Sequence, residues 1–102
     1  MNRLIEDNRE ALKDLCKQYR VSRLELFGSA TDDRFDPETS DLDFLVEYLP
    51  QEPVAHARSY FGLLESLQDL FQRPIDLVEV KAVRNPYLLE SINRSRTVLY
   101  AA

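Results

Sequence analysis

Two stretches decide the fold of this chain: Leu26-Phe27-Gly28-Ser29 and Ser40-Asp41-Leu42-Asp43-Phe44-Leu45-Val46. The first predicts a strand that ends at a Gly-Ser corner, and the second predicts a strand with aspartates at positions i and i+2. Because side chains alternate between the faces of a strand, Asp41 and Asp43 are expected to point the same way, about 7 Å apart. The other face is expected to enter the core with Leu42, Phe44 and Val46.

These two stretches together indicate a chemistry. Two carboxylates on one strand face can bind a divalent cation, and exposed backbone amides at a small corner such as Gly28-Ser29 can receive phosphate oxygens. Metal together with phosphate is the chemistry of nucleotide transfer.

The whole chain has the composition of a globular protein. Its 102 residues predict one domain spanning 1–102, and 44% hydrophobic with 30% charged residues excludes a mainly disordered or collagen-like chain. No apolar run approaches the roughly 20 residues of a membrane span, and residues 1–10 lack the apolar core of a signal peptide. We therefore expect a cytoplasmic protein without a membrane partner. The lone Cys16 is interpreted as a buried hydrophobe, and the lone His56 as a helix surface residue.

The charge is acidic and unevenly placed. A net charge of −5 argues against long nucleic acid as a direct partner, because neutralising phosphates requires a basic surface. Between residues 32 and 52 one base, Arg34, faces eight acids, namely Asp32, Asp33, Asp36, Glu38, Asp41, Asp43, Glu47 and Glu52. Such a run is most often a solvated loop, and it also concentrates cations.

Hydrophobic periodicity and turn residues predict seven elements in a layered α/β (α+β) fold. The leading helix spans residues 2–19, and a short helical turn follows Ser29. A second helix is expected to bury Ala57, Tyr60, Phe61, Leu64, Leu67 and Phe71, with Gly62 allowing close packing. A third helix begins at Asn85-Pro86, where asparagine is an N-cap and proline the first helical residue. In chain order the elements are helix 2–19, strands 21–27 and 41–47, helix 54–71, strand 75–80, a helix through Ile92, and strand 97–100.

Asp76 adds a third carboxylate. Each acid alone has a plain explanation, since acids alternate with apolar residues on solvated strand faces and Asp76 would suit a strand end. However, a charge within an apolar strand is costly unless it is paired or binds metal. If its strand neighbours that of Asp41 and Asp43, three like charges converge and predict a cation. Carboxylate oxygens with phosphates favour Mg²⁺ over Zn²⁺, and two such ions can clamp a phosphoryl displacement.

The combined pattern resembles the minimal nucleotidyltransferases (MNT type) of the DNA polymerase β-like superfamily. The residues that carry the resemblance are Phe27-Gly28-Ser29, then Asp41-Leu42-Asp43 after eleven residues, and Pro74-Ile75-Asp76-Leu77-Val78. It covers nearly the whole chain and implies a mixed β-sheet flanked by helices.

The resemblance also implies roles for individual residues. Gly28 and Ser29 would bind nucleotide phosphates, Asp41 and Asp43 would hold Mg²⁺, and Asp76 would complete the metal site and act as base. Many members carry an Arg-Gly step after the corner, where this chain reads Ala30-Thr31-Asp32-Asp33-Arg34. Either Arg34 binds phosphate from a shifted position, or that contact is missing.

Members of this size resemble the antitoxin of a two-gene toxin–antitoxin pair. This implies a hetero-oligomer with an all-helical HEPN-type ribonuclease, and AMP transfer from ATP to a tyrosine of that toxin. One alternative is an antitoxin that neutralises its partner by binding, with weak or lost catalysis, which the altered loop at 31–34 favours. Another is a small-molecule nucleotidyltransferase, although such enzymes usually have a further domain for the acceptor.

Overall fold

The computed structural model describes residues 2–31, 36 and 40–102. Its elements are helices α1 (Arg3–Glu6) and α2 (Arg9–Gln18), strand β1 (Val21–Phe27), a 3₁₀ turn (Gly28–Thr31), strand β2 (Leu42–Tyr48), helix α3 (Pro53–Phe71), strand β3 (Ile75–Glu79), a second 3₁₀ turn (Val80–Ala82), helix α4 (Pro86–Ser95) and strand β4 (Thr97–Ala101). The predicted α/β class, a mixed sheet flanked by helices, is confirmed.

The four strands form one sheet in the order β3-β2-β1-β4. The β1 strand is antiparallel to both β2 and β4, whereas β3 is parallel to β2. Parallel strands require a long crossover, and α3 supplies it between β2 and β3. This crossover brings the start of β3 beside the start of β2.

The helices cover the two faces of the sheet unequally. The larger core contains the predicted inward side chains of β2, together with residues of α1, α2 and α3; its members include Ile5, Leu12, Cys16, Leu24, Leu26, Leu42, Phe44, Val46, Leu63, Leu67 and Phe71. A smaller cluster on the opposite face joins Phe27, Leu45 and Ile92. Because Ile92 belongs to α4, the odd-numbered side chains of β2, including Asp43, lie on the α4 face of the sheet.

Most predicted boundaries are confirmed, and the predicted leading helix is wrong in one respect. It is two helices, broken at Asn8, whose backbone leaves the helical region (φ −117°) and whose side-chain amide donates to the Leu4 carbonyl at 2.8 Å. The asparagine competes with the helical backbone for hydrogen bonds, which is why the break falls there. The expected cap is confirmed, since Asn85 Oδ1 accepts from the amide of Tyr87 at 2.9 Å.

Two predictions about α3 are also corrected. Phe61 was expected in the core but is 65% exposed, and Ala57 is exposed too, because the buried stripe runs through Leu63, Leu67 and Phe71. His56 is half-buried rather than a free surface residue, and its Nε2 is hydrogen-bonded to Glu79.

The expectation for Gly62 is confirmed, since an added Cβ would collide with the Tyr19 ring. Cys16 is fully buried as predicted, and burial raises the pKa of its thiol to about 12.

None of the helices in the described parts of the chain is both long and apolar enough to cross a membrane.

Candidate active site

Strand pairing brings two of the predicted carboxylates together. In the parallel pair of β2 and β3, Asp43 is the direct partner of Asp76. Neighbouring strands lie about 4.8 Å apart and partner side chains share a face, so both carboxylates emerge side by side toward α4. The condition set by the sequence, that the strand of Asp76 should neighbour that of Asp43, is confirmed.

Asp41 lies next to this pair, one residue before β2 begins. Its side chain is exposed, as is that of Asp76, whereas Asp43 is half-buried. Burial, followed by the negative charges of Asp76 and Asp41, raises the pKa of Asp43 from 3.8 to about 6. The three carboxylates therefore interact, and the negative charges of the other two make ionisation of Asp43 less favourable.

The Gly28 corner lies directly against Asp43. Phe27, the last residue of β1, is the register partner of Asp43, so the chain turns at Gly28 beside the carboxylate. Gly28 has φ +75°, and a Cβ built there would collide with Asp43 Oδ2. Glycine is therefore required at this position both by its backbone conformation and by the closeness of the aspartate.

The hydrogen bonds of the corner differ from what the sequence suggested. The Gly28 amide donates to Ser95 Oγ at 3.0 Å, so it is not an exposed donor for phosphate. The Gly28 carbonyl accepts from Thr31 Oγ1 at 2.7 Å, which closes the 3₁₀ turn. Ser29 is half-exposed and follows this fixed glycine. Arg34, the other predicted phosphate ligand, lies outside the described residues.

The carboxylates of the site are the candidate ligands for a metal ion. No three His, Cys, Asp or Glu side chains within residues 2–31, 36 and 40–102 are arranged to hold a metal by themselves. The donor set nevertheless suits Mg²⁺, which proteins usually bind through one or two carboxylates completed by substrate phosphates and water. Asp43 and Asp76 are adjacent in register, and no arginine among the described residues forms an ion pair with either, so they meet that requirement. The metal roles of Asp41, Asp43 and Asp76 remain predictions.

Sequence reasoning missed a second polar group on the same sheet face. Glu25 of β1 is only 2% exposed, and both Arg23 and Arg96 bond its carboxylate, the latter with Arg96 Nε 2.5 Å from Glu25 Oε2. Burial acts to raise the pKa of Glu25, but the hydrogen bonds and charges of Arg96 and Arg23 outweigh it and lower the pKa from 4.5. Arg96 is 71 residues away along the chain, so no local pattern could have revealed the pair.

With this geometry established, comparison with known proteins identifies the family. The sequence profile of the nucleotidyltransferase domain matches residues 8–99, which is most of the chain. This chain belongs to the nucleotidyltransferase domain family. The predicted resemblance to minimal nucleotidyltransferases is thereby confirmed.

Individual relatives agree. "Putative protein adenylyltransferase MJ0126" of Methanocaldococcus jannaschii is 33% identical over 84 residues, which cover 82% of each chain. A solved structure named "Structure of putative minimal nucleotidyltransferase" superposes with a TM-score of 0.64 at 29% identity, covering 91% of this chain and 90% of that one. A Shewanella oneidensis structure, a tri-AMPylated HEPN toxin in complex with MNT antitoxin, gives a TM-score of 0.64 over 95% of this chain and 72% of the other. Its 17% identity shows the shared fold alone.

Proposed function

We propose that this nucleotidyltransferase transfers AMP from ATP to a tyrosine hydroxyl of a HEPN-type ribonuclease toxin, as the antitoxin of a toxin–antitoxin pair. The observation that carries the proposal is the register pair of Asp43 and Asp76 with Gly28 packed against Asp43. This arrangement concentrates negative charge beside a tight glycine corner, where a metal-bound triphosphate would be held. The naming of similar proteins as an adenylyltransferase and as a toxin's antitoxin supports the finer assignment.

The reaction is a displacement at phosphorus. The tyrosine oxygen attacks the α-phosphorus of ATP, the bond from that phosphorus to the bridging oxygen breaks, and pyrophosphate leaves with the bonding electrons. The hydroxyl proton passes to the exposed carboxylate of Asp76. Ser29 contacts the phosphates at the corner, and Arg34 is the candidate for a second phosphate contact. Mg²⁺, as two ions held by Asp41, Asp43, Asp76 and the phosphates, would neutralise the charge that develops on the oxygens.

Features beside Asp76 support a protein as the acceptor. The β3 strand is an edge of the sheet, and a groove of about 380 Å³ beside it is lined by Tyr60, Leu77, Val78 and Leu88, among others. Val78 is two residues along β3 from Asp76. Leu88 at the rim is 45% exposed, and Tyr87 next to it is 81% exposed. Exposed apolar residues around a groove are typical of protein interaction sites.

The test is the intact mass of a HEPN-type protein encoded beside this gene, after incubation with this chain, ATP and Mg²⁺. We expect a gain of one or more AMP units, lost with Asp43→Asn and with Asp76→Asn. The matched control is Glu47→Gln. Glu47 lies on the same strand and face as Asp43, at the opposite end of β2, so this substitution should leave the mass gain unchanged.

The same samples decide between catalysis and simple binding. A stable complex with no mass gain, formed equally by wild type and Asp43→Asn, would contradict the catalytic proposal and favour an antitoxin that acts by contact. Replacing the acceptor tyrosine, located by fragmentation of the modified toxin, should abolish the gain. A gain that persists without any tyrosine in that peptide would contradict the tyrosine assignment.

A further inference from the structure

The end of α4 is bonded to β1 and the turn after it at two points, one of which is Gly28 of the candidate site. Ser95, the last residue of α4, accepts the Gly28 amide at 3.0 Å, and the next residue, Arg96, bonds the buried carboxylate of Glu25. Glu25 and Gly28 are only three residues apart on one strand and its turn. Two successive side chains of the α4–β4 junction therefore hold a single short segment of β1.

From this arrangement we propose that Ser95 is a positioning residue of the nucleotide site, acting through Gly28. Gly28 holds an unusual conformation, and its Cα lies against the Asp43 carboxylate. A backbone amide that donates to a fixed acceptor cannot rotate away, so the Ser95 hydroxyl sets the orientation of the peptide that joins Phe27 to Gly28. That peptide in turn sets where Ser29 stands relative to Asp43. The inference rests on the proposed function, since positioning matters only if the corner binds a nucleotide.

The ion pair beside Ser95 explains why a hydroxyl at a helix end can act as a fixed acceptor. The last turn of a helix usually frays, because its carbonyls lack intrahelical partners. Here the Arg96 amide still bonds the Ile92 carbonyl at 3.0 Å, and the Arg96 side chain reaches Glu25, which is 2% exposed. A backbone bond and a side-chain bond of Arg96 therefore both hold the junction in place, which also restricts the movement of the adjacent Ser95.

The chain offers a direct test because it contains only two glycines, Gly28 and Gly62. Labelling with ¹⁵N-glycine alone should give a spectrum with two amide peaks. We expect Ser95→Ala to accelerate hydrogen exchange of the Gly28 amide by about tenfold, the equivalent of one lost hydrogen bond, while the Gly62 peak is unchanged. Ser95→Thr, which keeps the hydroxyl, should restore protection. Ser91→Ala, at an exposed serine of the same helix, is the matched control and should change neither peak.

The second readout is the affinity for a non-hydrolysable ATP analogue with Mg²⁺, measured at a temperature at which every variant is folded. Ser95→Ala should weaken binding about three- to tenfold, with recovery in Ser95→Thr, because a loosened corner binds phosphates less well. A merely structural serine would lower the melting temperature without moving this affinity, and that result would overturn the proposal. Unchanged exchange of Gly28 in Ser95→Ala would overturn it as well.

These failures are distinguishable from failure of the proposed function. Gly28 exchange is measured without nucleotide, so it reports on the hydrogen bond whatever the chain binds. A wild-type protein that binds no nucleotide would overturn the proposed function and, with it, the positioning role. That outcome appears before any substitution is made.

Discussion

Glu25 and Asp43 are two carboxylates on neighbouring strands and on the same face of the sheet, yet their surroundings are opposite. Glu25 is almost fully buried and bonded by Arg23 and Arg96, which lower its pKa. Asp43 is half-buried and faces Asp76 and Asp41, and its pKa rises to about 6. The more buried acid is thus the more readily ionised.

The difference is the one expected between a structural charge at Glu25 and the functional charge that we propose at Asp43. A buried carboxylate that only supports the fold is compensated by cations within the chain, as Glu25 is. Asp43 is left without a compensating cation in the described part of the chain, and two further acids are placed against it. Such an arrangement costs stability, and strain of this kind is common at active sites, where the ligand supplies the missing charge.

The largest effect is expected from Gly28→Ala. The new methyl group would collide with Asp43 Oδ2 and strain a backbone at φ +75°, displacing the carboxylate from Asp76. We expect a loss of transfer activity of about a hundredfold, because displacements near 1 Å in an active site have effects of this size. The measurement is the rate of AMP incorporation per folded molecule.

Gly62→Ala is the control for this change, because its methyl group would also collide, but with the Tyr19 ring in the core. It should alter stability and leave the activity of the folded protein intact. Equal losses of activity in the two variants would show that Gly28 acts only through folding.

The next effect concerns Glu25. Glu25→Gln removes the negative charge that compensates two arginines. We expect the free energy of unfolding at pH 7 to fall by about 2 kcal/mol. The loss should be smaller than for a fully buried ion pair, because both arginines are partly exposed. Since folding lowers the pKa of Glu25, its contribution is complete above 4.5 and is lost as pH falls through the folded pKa. The difference in free energy of unfolding between variant and wild type, measured by urea titration, should therefore become smaller in acid. A difference that became larger would contradict the view that the arginines compensate the Glu25 charge.

The smallest effect is a shift in titration. In metal-free protein, the Asp43 carboxyl carbon should titrate by NMR with a midpoint of about 6. Asp76→Asn should lower the midpoint while leaving it above 3.8, because burial is the larger cause of the raised pKa and the neighbouring charges are the smaller. The sign follows: a raised carboxyl pKa means that Asp43 makes the fold more stable as pH falls from 6 toward 3.8. A midpoint unaffected by Asp76→Asn would show that the two side chains do not interact.

The sequence was sufficient to predict much of the site, because that information is local. Alternation along β2 predicted that Asp43 lies on the face opposite Leu42, Phe44 and Val46, and the apolar run around Asp76 predicted a strand. The adjacency of β2 and β3 was only a condition at the level of sequence, because a helix between two strands allows a parallel pair without making the strands neighbours.

The rest depends on contacts between distant parts of the chain. The Ser95 hydroxyl meets an amide 67 residues away, and no periodicity marks Ser95 or Arg96 as different from other polar residues near a helix end. Alternation along β1 puts Glu25 opposite the core-facing Leu24 and Leu26, but that pattern does not indicate that α4 covers the second face of the sheet. The misplacement of Phe61 has a similar cause, since several apolar positions on α3 fit a stripe and only packing chooses among them.

The most direct test is thermal unfolding of wild type and Asp43→Asn at pH 7.5, with and without Mg²⁺ and a non-hydrolysable ATP analogue. Without ligand, the asparagine variant should unfold at a higher temperature, because it removes a repelled charge while keeping the shape of the side chain. With ligand, wild type should be stabilised and the variant should not. The contrary result would be an asparagine variant that is less stable than wild type and that the ligand stabilises as much as it stabilises wild type. That result would contradict the claim that the Asp43 charge destabilises the free protein and binds the metal–nucleotide complex.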